Sequence, residues 1–126
     1  MPKPPIHHTA DYSDCLALQR KLTQSADRLS QMAGAVAQAR HVREYDGDRR
    51  KRCLAIAAMP LLAAGGSSAA ADTEARASEP YAAAMKQLGA ELVTAEKVLA
   101  DWEATKIQVE VARSLLAMQR DLTKNL

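Results

Sequence analysis

A chain of 126 residues is long enough for one domain. With 26 alanines, one Trp, three Tyr and no Phe, it has little from which to build a thick core. A formal net charge of +2 argues against a dedicated polyanion binder, and no run approaches the ~18 uncharged apolar residues of a membrane span. Alanine is the strongest helix former, and the β-branched and aromatic residues that strands want are scarce. The expected fold is all-α: a long helical hairpin or coiled-coil-like bundle with a short helix at the turn. A layout so thin needs oligomerisation to bury enough apolar surface.

Residues 1–10 read as a disordered, Pro-rich lead ahead of a single helical domain over 11–126. Met1 to Pro5 holds three prolines and no apolar run of a secretory leader. His7 and His8 end the lead, and no Cys, Asp or Glu joins them at ligand spacing, so they read as a solvated pair. From Asp11, with Asp11 or Ser13 as cap, a 3-4 alternation sets in at Cys15, Leu18, Leu22, Ser25, Leu29, Met32, Val36 and Ala39. That is a seam of period 3.5, suited to knobs-into-holes packing. Gly34 with Ala33, Ala35, Ala37 and Ala39 would allow a second helix to approach closely.

The next segment is the most charged: Arg40, Arg43, Arg49, Arg50, Lys51 and Arg52, interrupted by Asp46-Gly47-Asp48. Val42 and Tyr45 keep the apolar spacing, so the helix is expected to continue or break only slightly, with Gly47 costing roughly 1 kcal/mol against Ala. These six cations are the candidate phosphate contacts. Consecutive cations spread around a helix, so two or three meet a backbone at once, and only Tyr45 supplies the aromatic interleaving of single-strand binders. The plainer reading is a solvated face paired with Glu44, Asp46 and Asp48.

The first long helix should run from 11 to 63, with Pro60 kinking or ending it. Residues 64–77 then form the turn and a short helix. Gly65 suits a left-handed C-cap, and Ser67 or Ser68 can cap a helix over Ala69 to Ala77. No strand precedes Gly65-Gly66 and no Lys-Ser/Thr follows, so this is a turn and not a phosphate loop.

Residues 78–126 read as the second long helix. Ser78 can cap it, Glu79 faces the positive end of the dipole, and Pro80 is tolerated only in a first turn. Tyr81, Met85, Leu88, Leu92, Ala95, Leu99 and Trp102 then continue at three and four. After Trp102 the stripe is expected to drift to Ile107, Val111, Leu115, Met118 and Leu122, with Val109 and Leu116 beside it. About 45 helical residues span on the order of 65 Å and require a long partner. Residues 1–63 carry ten Lys/Arg against six Asp/Glu, and residues 64–126 seven against nine. The halves therefore attract, as an antiparallel hairpin would want. The seam residues expected to carry hairpin or oligomer are Leu18, Leu22, Leu29, Met32, Val36, Leu88, Leu92, Leu99 and Trp102. Cys15 and Cys53, on one helix, are too far apart to bridge within a chain, which suits a reduced, cytoplasmic protein.

No His lies near a Ser, Cys or Asp at a catalytic spacing, and the carboxylates of the second long helix fall at mixed positions with lysines three and four away. The expectation is a non-enzymatic chain that takes no cofactor, metal, small molecule or membrane.

Two stretches carry a resemblance: Leu62 to Tyr81, with Gly65-Gly66-Ser67-Ser68 and Ala75-Arg76-Ala77-Ser78-Glu79-Pro80-Tyr81, and the later Glu110-Val111-Ala112-Arg113-Ser114-Leu115. Over roughly residues 40–120 the chain resembles small alanine-rich helical proteins of unassigned function encoded in phage and prophage recombination or replication gene clusters. The resemblance implies an accessory role in a bacterial host and supplies no site residues. Two expectations follow: a homo-oligomer engaging a protein partner (a recombinase, a single-strand-binding protein or a host factor) through its long helices, or direct nucleic-acid binding through residues 40–52.

Overall fold

The computed structural model describes residues 6–124, and the side chains of residues 14–124. Three helices follow in order: α1 (Ile6–Ala63), α2 (Ser68–Arg76) and α3 (Glu79–Lys124). The long helices α1 and α3 pack as a hairpin with α2 between them, and no described residue lies in a strand. No helix among the described residues is long and apolar enough to cross a membrane. Helix α1 begins at Ile6, ahead of the start expected at Asp11. Residues 1–5 of the Pro-rich lead, and the side chains of His7 and His8, lie outside the described residues.

Helix α1 runs without a break through Gly47, where a Cβ would meet nothing within 4 Å. Pro60, expected to kink or end it, lies inside the last turn, and the helix continues to Ala63. Proline withdraws only one amide donor, and its own carbonyl still accepts from Ala64 N at 3.1 Å. The stop comes from the glycines. Gly65 takes a left-handed φ of 94°, its N–H donates to Leu62 O at 3.0 Å, and Gly66 N–H donates to Leu61 O at 3.3 Å. Those two bonds form a Schellman motif, which satisfies carbonyls that a helix end leaves unpaired.

Serines set the next two starts. Ser67, extended at φ −68° and ψ 156°, accepts from Ala70 N through its hydroxyl and caps α2. Ser78 Oγ accepts from Tyr81 N at 3.4 Å, capping α3, while donating to Ala75 O at 2.6 Å. One side chain thus closes α2 and opens α3.

Side-chain packing falls into two units. The first comprises Ala35–Leu99. Its buried residues are Val36, Ala39, Ala58, Ala71, Ala75, Leu88, Ala95 and Leu99. Alanines dominate, so backbones approach closely and each contact buries little area. Ala58, Ala71 and Ala75 pack together with Leu54, Ala57 and Leu61 around them, seating α2 on α1.

The second unit comprises Met1–Gly34 with Ala100–Leu126. On α1 it uses Cys15, Leu18, Leu22, Leu29 and Met32, all half-buried, and buried Ser25. On α3 the buried residues are Thr105, Val109, Ala112 and Leu116, with Trp102 and Gln119 half-buried. The Thr105 hydroxyl, 1% exposed, donates to Asp101 O at 2.8 Å and so enters the seam without an orphaned donor. Cys15 and Cys53 are both free thiols and half-buried.

Candidate functional site

The seam residues read from the sequence all face the packing side. Val36, Leu88 and Leu99 are buried; Leu18, Leu22, Leu29, Met32, Leu92 and Trp102 are half-buried. Gly34 does not serve the close approach expected of it, nor do Ala33, Ala35 and Ala37. All four are exposed, a Cβ on Gly34 would meet nothing within 4 Å, and only Ala39 of that run is buried. Spacing decides this, because 36 and 39 lie on the seam whereas 33, 34, 35 and 37 fall off it.

The basic segment is split by ion pairing. Arg43 grips Glu96 with two hydrogen bonds, the Nε donor at 2.7 Å, and Arg49 donates through Nη1 to Glu91. Arg50 donates through Nε to Asp46 one turn before it at 2.8 Å. Arg43 and Arg49 thus pair across to α3, and not with Glu44 and Asp48 as the plainer sequence reading has it. Arg40, Lys51 and Arg52 are exposed and take part in no ion pair among the described residues. Tyr45 also departs from expectation. It is 42% exposed and lies against the His41 ring at a tilt of 46°, with centroids 4.6 Å apart, while Asp46 takes the inward position. An aspartate is tolerated there because Arg50 neutralises it.

The bidentate contact from Arg43 holds the Glu96 carboxyl below the usual glutamate range, and the hydrogen bond from Arg49 does the same for Glu91. The two arginines are raised in turn by the same bonds. A depressed carboxyl contributes stability that is complete above its unfolded value and is lost as pH falls through its folded value. The arginines stay charged at every workable pH. Thermal unfolding followed by circular dichroism should therefore show acid destabilisation below about pH 4.3, modest because the Arg43–Glu96 pair is exposed and the Arg49–Glu91 pair only half-buried. A Glu91→Gln, Glu96→Gln double variant should flatten that acid slope; an unchanged slope would exclude these pairs as its source.

Within the same unit, α1 and α3 leave an open groove of about 840 Å³ between them. Ala39, Val42, Ala95 and Val98 form part of its lining, and Arg49 and Glu91 close one end. The lining offers apolar packing surface and a single charge pair, a surface for a side chain or helix flank. Among the described residues no three His, Cys, Asp or Glu gather as a metal-binding group.

The largest departure from the sequence reading lies on α3 beyond Trp102. Ile107, Val111, Leu115, Met118 and Leu122, expected to turn inward, are 57%, 52%, 41%, 60% and 64% exposed. The packed seam instead continues at three and four through Thr105, Val109, Ala112 and Leu116. The seam follows the position of α1, not residue size, so Thr105 and Ala112 lie inward with Val109 and Leu116 while Ile107 and Met118 stay out. In this unit Arg28 binds Asp101 with two hydrogen bonds at 2.8 and 2.9 Å, and Lys106 Nζ lies 5.9 Å from the Trp102 ring centroid. Of these, the Arg28–Asp101 pair joins α1 to α3, whereas Lys106 and Trp102 meet within α3. The five apolar side chains form a stripe on the solvent side, spaced 4, 4, 3 and 4 residues apart. A contiguous exposed apolar stripe is a candidate interaction surface.

Comparison with family models, with curated proteins and with solved structures finds no match.

Proposed function

We propose that this chain is a non-enzymatic accessory protein that acts by helix-mediated protein–protein interaction, in the cytoplasm of a bacterial host and in a phage or prophage setting. The observation that carries this reading is the exposed stripe Ile107, Val111, Leu115, Met118 and Leu122. A helix presenting apolar anchors at i, i+4, i+8, i+11 and i+15 is suited to lie against another helix or in an apolar groove. The phage or prophage setting rests on the sequence resemblance, which also suggests a recombinase, a single-strand-binding protein or a host factor as partner.

Nucleic-acid binding is the second reading, and Arg40, Lys51 and Arg52 favour it because among the described residues no carboxylate pairs with them. It is the weaker one, since Arg43, Arg49 and Arg50 are each held by a carboxylate of this chain.

Tagged chain expressed in a bacterial host should retain a partner that an Ile107→Asp, Leu115→Asp variant of equal helicity fails to retain. Retention of the same partner by that variant would sink the first reading. A mobility shift at low salt, abolished by Arg40→Ala, Lys51→Ala and Arg52→Ala, would establish the second.

A further inference from the structure

We infer that the solvent-side stripe of α3 is a self-association surface, on which a second copy of this chain packs antiparallel about a two-fold axis at Leu115. The inference rests on the reading of this stripe as an interaction surface and names its occupant.

The spacing carries the argument. Turned end for end, Ile107 meets Leu122, Val111 meets Met118, and Leu115 meets its own copy. All three pairs share one midpoint to within a residue. A surface that maps onto itself under a two-fold rotation is what an isologous dimer requires. Four turns of helix separate the first and last anchors, about 22 Å at 1.5 Å per residue. Two such stripes together would cover on the order of 1,000 Å², the lower bound for a specific protein contact. A weak dimer follows, populated as concentration rises.

Charges flank the stripe. Glu103, Glu110 and Asp121 are exposed and each lies three or four residues from a stripe member, so they line one edge. In the antiparallel pair the same edges of the two copies face each other. Glu103 then falls beside Lys124 of the other copy, and Glu110 beside Asp121. The first contact attracts and the second repels, so the rim nearly cancels and the apolar stripe determines the association.

Sedimentation equilibrium of the full chain should show a monomer–dimer equilibrium, and Leu115→Asp should abolish the dimer while leaving helicity unchanged. Asp121→Lys turns two repulsive contacts into attractive ones and should tighten the dimer roughly tenfold. In a Cys15→Ser, Cys53→Ser background, Leu115→Cys chains should crosslink to one another on mild oxidation. Ile107→Cys chains should crosslink only when mixed with Leu122→Cys chains. Self-crosslinking of Ile107→Cys chains would mean a parallel pair and overturn the inference. So would a monomer at every concentration, or a dimer indifferent to Leu115→Asp. In the monomer case the proposed function still stands if partner retention depends on Leu115, and falls with the inference if it does not.

Discussion

Leu99→Asp should unfold much of this protein at neutral pH. Leu99 is 7% exposed, in a seam whose other buried members are mostly alanines, so it supplies an outsized share of the apolar area there. Replacing it removes that area and places a carboxylate where the surrounding seam offers apolar neighbours. Burying an unpaired charge belongs to the short list of mechanisms that cost more than about 4 kcal/mol, against a total stability of roughly 5–15 kcal/mol for a domain. The introduced carboxyl should take up a proton to remain folded, which raises its pKa above the unfolded value. The sign of the pH dependence then reverses. Stability of the variant should rise as pH falls towards the carboxylate range, whereas the wild type weakens there through Glu91 and Glu96. Opposite acid slopes in thermal unfolding would identify the seam. Leu92→Asp should act in the same direction, less strongly because Leu92 is only half-buried. Unchanged helicity and an unchanged midpoint for Leu99→Asp would refute the assignment of this residue to the core.

Ala75→Leu should release α2. Ala75 is fully buried, with Ala58 and Ala71 each 2% exposed beside it, and Leu54, Ala57 and Leu61 enclose the group. A leucine there must displace backbone or neighbouring side chains, and overpacking of this kind costs typically 1–3 kcal/mol. A nine-residue helix has too little cooperative strength to persist unsupported, so the strain should appear locally. Amide hydrogen exchange over residues 68–76 should accelerate, with α1 and α3 protection retained. Ala70→Leu, at an exposed position on the same helix, should leave exchange near the wild-type rate. Equal protection in both variants would mean that α2 does not depend on this contact.

Much of the local structure is legible because it depends on short-range chemistry. Gly65 is the one described residue with a positive φ, where a side chain would be strained. Ser67 and Ser78 stand where a helix needs an acceptor for its first amides, and both serve as caps. The α1 seam from Cys15 to Ala39 is equally legible, since its apolar residues are separated by Gln, Arg, Lys, Asp and Ser and only one face is available.

The candidate surfaces are less legible, and the reasons differ. The arginines at 43 and 49 look available in the sequence because their partners lie about 40 to 50 residues away, on another helix. Their pairing depends on the register of α1 against α3, which no local pattern encodes. Tyr45 and Asp46 exchange roles for a similar reason: the aromatic fits the apolar period, yet the ion pair with Arg50 holds the aspartate inward.

By itself, the amino-acid sequence determined the three helices, the caps of α2 and α3, the Gly65-Gly66 turn and the packing face of α1, all set by interactions within a few residues, but not the start of α1. Only the tertiary structure decided which of two apolar stripes on α3 beyond Trp102 is core. Both recur at three and four, and the larger side chains belong to the stripe that faces solvent. Hydrophobicity identifies a stripe that wants a partner; the position of α1 decides that Val109, Ala112 and Leu116 receive one within the chain, leaving Ile107 to Leu122 for another.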